Sequence, residues 1–317
     1  MRVRAASRVY RTWGFDSRRW DGFVPRDGDI VIATYPKCGT TWMQRIVGLL
    51  VFQDPAPVAV MDVSVWIDRR FGATPAEALA RVEAQTHRRF LKSHLPADGL
   101  PLHDEVRYIH VARDGREVCL SFHNHISSYT PWMLEQLDAA GLGDETIARR
   151  YPRAPADPAD FFHRWLVDGG LPGVRDGLTG MSFFENERSW WEERGRPNVL
   201  FVHYADLKAD LDGKMRRIAG FLDIEVPDAL WPVLVEAAGF AAMRQAGDAL
   251  LGGGARVFEG GGQSFFHHGE TGRWRGVFRD EDLARYDAKL AALPAGCAAW
   301  IGGGREAVNP SRPDPCP

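Results

Sequence analysis

Lys37 stands in the run Thr34-Tyr-Pro-Lys-Cys-Gly-Thr-Thr-Trp42, between a short apolar stretch and a long one. The start of a helix leaves several backbone N–H groups without partners, and the helix dipole adds partial positive charge there. Lys37 brings a full charge, Thr40 and Thr41 bring hydroxyl donors, and Gly39 lets the backbone approach an oxyanion closely. Those residue types in that order suit the holding of a phosphate-like group. The run is not the phosphate loop G-x-x-x-x-G-K-[ST], because Lys37 precedes Gly39 and no Ser or Thr follows the lysine directly. The plain alternative is a strand-to-helix turn with a threonine as helix cap.

Three further segments carry chemistry. Phe90-Leu-Lys-Ser-His-Leu-Pro96 puts His94 just past the end of a strand, the side on which open α/β sheets bind ligands. Histidine is the side chain best able to accept a hydroxyl proton near neutral pH, although a histidine packed at a strand end is locally the commoner role. In Tyr108-Ile-His-Val-Ala-Arg-Asp-Gly-Arg-Glu-Val-Cys-Leu-Ser121, Arg113 and Ser121 can hold one phosphate from two directions, by a planar fork and a hydroxyl. Arg113 alone could equally be a solvated charge at a helix start. Phe265-Phe-His-His-Gly-Glu-Thr-Gly-Arg-Trp-Arg275 carries the adjacent pair His267 and His268, a weak metal signal without partners, and no metal is expected. His123 and His125, bracketing Asn124, could face an acceptor, although a solvated helix end is the commoner role.

Short apolar strands must position these segments. Strands are expected at Asp29–Thr34, Arg89–Ser93, Arg107–Ala112 and Val199–His203. Helices are expected at Thr40–Phe52, Arg116–His125, Ala159–Asp168, Phe183–Arg194, Asp210–Leu222, Asp228–Gln245 and Glu281–Ala292. Alternation of the two argues for an α/β fold, a parallel sheet covered by helices on both faces. No repeat or linker divides the 317 residues, so one domain over 1–317 is expected, with about 1–25 and 302–317 peripheral or frayed.

Composition narrows the partners. With 39 basic against 42 acidic residues the formal charge is −3, which gives no reason to expect nucleic acid. The run Ile46–Phe52 is far short of the roughly 20 apolar residues that span a bilayer, and the basic N-terminus lacks the apolar core of a secretory signal. Cys38, Cys119, Cys297 and Cys316 are scattered without a C-x-x-C pair, which argues against a disulfide framework or structural zinc. A cytoplasmic protein without an integral membrane segment is expected.

At these motifs the chain resembles the cytosolic-type sulfotransferases that use 3′-phosphoadenosine-5′-phosphosulfate (PAPS). The run Thr34–Trp42 is similar to their TYPKSGTTW signature, with Cys38 in place of serine, and the likeness recurs in order from about Asp29 to Tyr286. The resemblance implies a P-loop-like, three-layer α/β/α fold in a bacterial member of the family. It implies that Lys37, Cys38, Gly39, Thr40, Thr41 and Trp42 bind the 5′-phosphosulfate and adenine side of the donor. Arg113 and Ser121 would take the 3′-phosphate, Tyr204 would contact the nucleotide, and Trp42 and Phe240 would sandwich the adenine. His267, His268 and Gly269 fall where the family has R-K-G, so two imidazoles replace two permanent cations. His94 would be the catalytic base, with Lys37, Lys92 and Ser121 completing the catalytic set. The implied reaction is in-line sulfuryl transfer from PAPS to a hydroxyl of a phenol, alcohol or glycolipid, releasing 3′-phosphoadenosine-5′-phosphate (PAP). Alternatives are an ATP- and Mg²⁺-dependent kinase and a noncatalytic nucleotide- or lipid-binding relic of the fold. Val60–Phe71, Ser127–Ala140 and Leu171–Phe184, rich in Trp, Met, Phe and Leu, are the expected acceptor-pocket segments. A homodimer stays open.

Overall fold

The computed structural model describes residues 2–266, 269 and 271–304. Among them, β1 (Val3–Arg4) and β4 (Leu102–His103) pair antiparallel in a small sheet of their own. The central sheet is parallel: β2 (Ile30–Ala33), β3 (Phe90–Ser93), β5 (Arg107–Ala112) and β6 (Val199–His203) lie in the order β3-β2-β5-β6. Ala33 is opposite both Ser93 and His110, and Ala112 is opposite His203. This register has a functional consequence. The residues following the four strands, namely Thr34, His94, Arg113 and Tyr204, emerge at one edge of the sheet.

Side chains alternate across a strand, and here they feed two separate cores. Ile30 and Ile32 face a cluster with Ile46, Leu50, Met215, Ile218 and Trp231. That side is covered by α1 (Thr40–Phe52), and by the helices α9 (Leu211–Phe221) and α10 (Trp231–Ala238) later in the chain. Val31 and Ala33 face a second cluster with Val118, Phe122, Phe162, Trp165, Phe183 and Trp190. This side is covered by α4 (Gly115–Ser127), α6 (Pro158–Val167) and α7 (Phe183–Glu192). All four residues of β2 are buried, as expected of a strand with helices on both faces. The result is the three-layer α/β/α arrangement expected from the sequence. The remaining helices before α9 are α2 (Val60–Val63), α3 (Pro75–Glu83), α5 (Pro131–Leu142) and α8 (Tyr204–Ala209).

Two expectations are corrected. Residues 1–25 are not peripheral throughout: Trp13 is fully buried, and Tyr10, Phe15, Trp20 and Phe23 join the larger core. The Trp13 indole N–H donates to the Arg149 carbonyl at 2.9 Å, while Arg11 and Arg70 both pair with the buried Asp144. Burial of so many rings outweighs the segment's six arginines, whose charged ends reach outward or find partners. The helix expected over Asp228–Gln245 is also broken. Gly239 is extended (φ −64°, ψ 150°), ending α10 at Ala238 and starting a new helix at Phe240. The Ala238 carbonyl, freed by the break, accepts from the Trp42 indole N–H at 2.8 Å.

Candidate active site

A cavity of about 630 Å³ opens at the edge where the strands end. Its floor is the turn between β2 and α1. Lys37 there takes a left-handed backbone conformation (φ 73°), and Gly39 follows at φ 108°, a region that glycine enters without steric cost. Gly39 is the residue before α1 and no side chain caps the helix, so the plain-turn reading with a threonine cap does not hold. The first N–H groups of a 13-residue helix are therefore left for a ligand. The Thr40 hydroxyl lies 2.5 Å from that of Thr34, tying the two ends of the turn together. Gly39, Thr40, Thr41 and Trp42 all line the cavity.

Lys37 Nζ donates to His125 Nδ1 at 3.3 Å and lies 4.4 Å from the Phe265 ring centre. Burial, with the charges of Arg113 and Lys92, lowers the Lys37 pKa to about 7. Lys92 Nζ sits 4.2 Å over Trp66, and burial plus the charge of Arg69 lowers its pKa to about 8. Both ammonium groups thus sit where an anion would lower their energy.

His94 follows β3. Its Nδ1–H donates to the Thr34 carbonyl at 2.9 Å, which leaves the Nε2 lone pair for another partner. Asn186 holds the His94 carbonyl at 3.3 Å, and Trp66 meets the imidazole edge-on at 5.1 Å. Burial and the nearby lysines pull its pKa well below the ordinary value, so the ring is neutral.

Arg113 follows β5. One guanidinium nitrogen donates to the Lys37 carbonyl at 3.1 Å, the group stacks 4.2 Å over Tyr204, and Glu117 lies 3.6 Å away. Glu117 is itself engaged by the Gly272 N–H. Arg113 Nε is buried without a partner. A second cavity of about 260 Å³ adjoins this side, sharing Arg113, Glu117 and Tyr204 and bordered by Arg116 and Arg275.

Trp42 packs edge-on against Tyr204 at 5.2 Å, and Phe240 stands across the same cavity. Gly269 (φ 66°) abuts Phe240: a Cβ there would lie 2.7 Å from the ring. Ser121 lines the cavity from α4. Cys38 is placed differently from the expectation, with its thiol fully buried, raised in pKa and absent from the cavity wall. His267 and His268 lie outside the described residues.

Of the two roles open to His125, the solvated helix end does not hold: it lines the cavity and holds Lys37. It is four residues after Ser121, hence on the same face of α4, a spacing that was available as a signal. His123 instead donates from Nε2 to the Pro155 carbonyl at 2.9 Å. Lys208, unremarked in the sequence, donates to the Gly269 carbonyl at 2.8 Å and also lines the cavity. Of the expected acceptor segments, the first two contribute Trp66, Phe71, Tyr129, Trp132, Met133 and Leu137. Leu171–Phe184 contributes only Thr179, because Leu178, Met181 and Phe183 fill the core.

An uncapped helix start, a basic loop and a neutral histidine at one edge of a parallel sheet define an oxyanion-handling transferase site. A family model described as the sulfotransferase domain matches residues 27–293, and the chain belongs to that family. A glycolipid sulfotransferase of Mycobacterium bovis is 32% identical over 316 residues, covering 96% of each chain. The fold is shared with retinol dehydratase in a complex with retinol and PAP (TM-score 0.66, 21% identity, 87% and 84% of the two chains). It is shared also with mouse sulfotransferase SULT7A1 complexed with PAP (TM-score 0.63, 20% identity, 86% and 87%).

Proposed function

We propose that the protein transfers the sulfuryl group of PAPS to a hydroxyl of a lipid-linked or other apolar acceptor, with His94 as base. The observation that carries this reading is the convergence of Lys37, His94 and Arg113 on one cavity from three adjacent strand ends. The PAP complexes of the structural neighbours support the donor, and the mycobacterial glycolipid sulfotransferase supports the lipid-linked acceptor. The residues fit such a nucleotide. The free N–H groups of α1 and Lys37 suit the phosphosulfate, the unpartnered Nε of Arg113 suits a further phosphate oxygen, and Trp42 and Phe240 offer ring faces to a base.

His94 Nε2 takes the acceptor's hydroxyl proton as that oxygen forms its bond to sulfur. The bond from sulfur to the 5′-phosphate oxygen breaks, and the electron pair departs with PAP. Lys37 and the loop N–H groups stabilise the charge left on that oxygen, with Lys92 beside the transferred group. The Thr34 carbonyl fixes the His94 tautomer, so the proton-accepting nitrogen is the one that faces away from the backbone. Tyr129, Trp132, Met133 and Leu137 give the acceptor an apolar lining. Cys38, Cys119 and Cys297 are free thiols, which suits the reducing cytoplasm.

Calorimetric titration with PAP, 5′-AMP and ATP-Mg²⁺ tests the donor site. Tight binding of PAP alone is expected; preference for ATP-Mg²⁺ would replace the reading with a kinase, and binding of none would leave a relic of the fold.

A further inference from the structure

The donor end of the cavity holds Lys37, Arg113, Trp42 and Phe240. Besides Lys208 and Arg273, the same cavity carries three cations that the transfer reaction does not use: Arg69, Arg81 and Arg256. Arg69 is half-buried and lies 5.3 Å over Phe71; Arg256 lies 4.3 Å over Trp132; Arg81 donates to the Met61 carbonyl at 3.1 Å. None of the three pairs with a carboxylate among the described residues. Among the described residues, two acidic ones line the cavity. Glu117 is committed to Arg113 and Gly272 at the donor end, and Asp62 is exposed on α2.

Converging like charges without a counter-ion are unfavourable, the more so when one is partly desolvated. Burial and the charges of Arg81, Arg19 and Arg256 accordingly pull Arg69 below its ordinary pKa. Arg19 is the fourth cation facing this group, and its own side chain is spent on the Arg69 and Ala73 carbonyls. A bound oxyanion would relieve the repulsion, and a planar guanidinium is the cation best shaped to receive one. The path from the base to this cluster runs over aromatic rings. His94 meets Trp66 at 5.1 Å, Trp66 meets Phe71 at 6.1 Å, and Phe71 lies under Arg69.

We propose that the acceptor is itself anionic: an amphiphile whose hydroxyl reaches His94 while a phosphate or carboxylate, one or two rings away, is held by Arg69, Arg81 and Arg256. This deepens the sulfuryl-transfer reading and rests on it. The neutral, apolar part of the acceptor lies against Trp66, Phe71 and Trp132, and the charged part sets which hydroxyl is presented.

Binding of 2-naphthyl phosphate and of the neutral 2-naphthyl glucoside, titrated into the PAP-saturated protein, tests this. PAP occupies the donor loop, so the phosphate probe reports on the acceptor end. The phosphate should bind at least about tenfold more tightly, and salt should weaken it. Arg69→Gln, Arg81→Gln and Arg256→Gln should each lose about tenfold for the phosphate and less than about twofold for the glucoside. Arg81 and Arg256 are exposed, so those two variants keep the fold even if Arg69→Gln disturbs the stacking on Phe71. Equal affinity for the two probes, or an unchanged preference in the variants, overturns the inference. So does a loss confined to vesicles of phosphatidylglycerol against phosphatidylcholine, which would assign the arginines to a membrane surface. Failure of PAP itself to bind would sink the sulfuryl-transfer reading instead; the same probes titrated without PAP would still score the arginines.

Discussion

The protein should take up a proton when PAP binds above neutral pH. In the free site Lys37 has a pKa of about 7, the main cause being burial, followed by the charges of Arg113 and Lys92. A phosphate beside Nζ favours the ammonium form and returns the pKa toward the ordinary lysine value, so the sign is uptake. At pH 8 a group with that pKa is neutral in roughly nine molecules of ten, and PAP must recharge it, taking up roughly 0.9 proton. Lys92, at about 8, adds at most roughly half a proton if the nucleotide reaches it. The phosphates of PAP are fully ionised at pH 8 and contribute nothing. Calorimetry at pH 8 in Tris and in HEPES, whose ionisation enthalpies differ, reads the proton number from the difference in apparent enthalpy. The dissociation constant should also rise by about tenfold between pH 8 and pH 9. Lys37→Arg keeps a permanent cation and should lose most of the uptake while still binding PAP. An uptake below about 0.3 proton in the unaltered protein, or one that survives Lys37→Arg, refutes the assignment of Lys37 to the phosphate.

His94→Ala should lower kcat by about 10²–10⁴ while changing the PAP dissociation constant less than about twofold, measured by PAPS turnover and by calorimetry. Arg113→Gln should weaken PAP by about tenfold or more and leave 5′-AMP almost unaffected, a comparison that isolates the 3′-phosphate. His125→Phe removes the acceptor of the Lys37 hydrogen bond without removing bulk; proton uptake on PAP binding at pH 7 should increase, because the neutral lysine is then more populated. Gly39→Ala should destabilise the fold by about 1–3 kcal/mol in thermal or urea unfolding, since φ is 108° and the new Cβ would lie 3.1 Å from the Tyr204 ring.

The four central strands were legible because each is a short apolar run, and the ends of three of them carry Lys37, His94 and Arg113 in recognisable surroundings. Their order in the sheet was not legible: nothing local tells that β5 lies on the other side of β2 from β3. His125 escaped because a helix face can be read from spacing, whereas the reach of a lysine from another segment cannot. The thiol of Cys38 is buried away from the cavity, between the left-handed Lys37 and Gly39, and a motif match does not report which side chains of a turn face inward. The break at Gly239 was hidden by apolar periodicity on both sides of it. By contrast, the start of α3 is legible in the sequence, because Thr74 and Glu77 stand at the spacing that lets them exchange hydrogen bonds across Pro75.

The burial of Tyr10, Trp13, Phe15, Trp20 and Phe23 bears on how the chain acquires its structure. Trp13 donates to a carbonyl 136 residues later in the chain, and Tyr10, Phe15 and Trp20 belong to the same core as Phe161, Trp165 and Phe183. Once made, Tyr10, Trp13, Phe15 and Trp20 must therefore wait until the chain has grown as far as Phe161, Trp165 and Phe183. At about 5–20 residues per second that is a delay on the order of ten seconds, with a cluster of rings exposed throughout. Such distant pairings slow folding and invite aggregation. The yield of native protein should accordingly depend on what shields the leading segment during synthesis. A chain trimmed to the first matched family residue, Arg26 and everything before it removed, would leave the late-made half of this core without its lid.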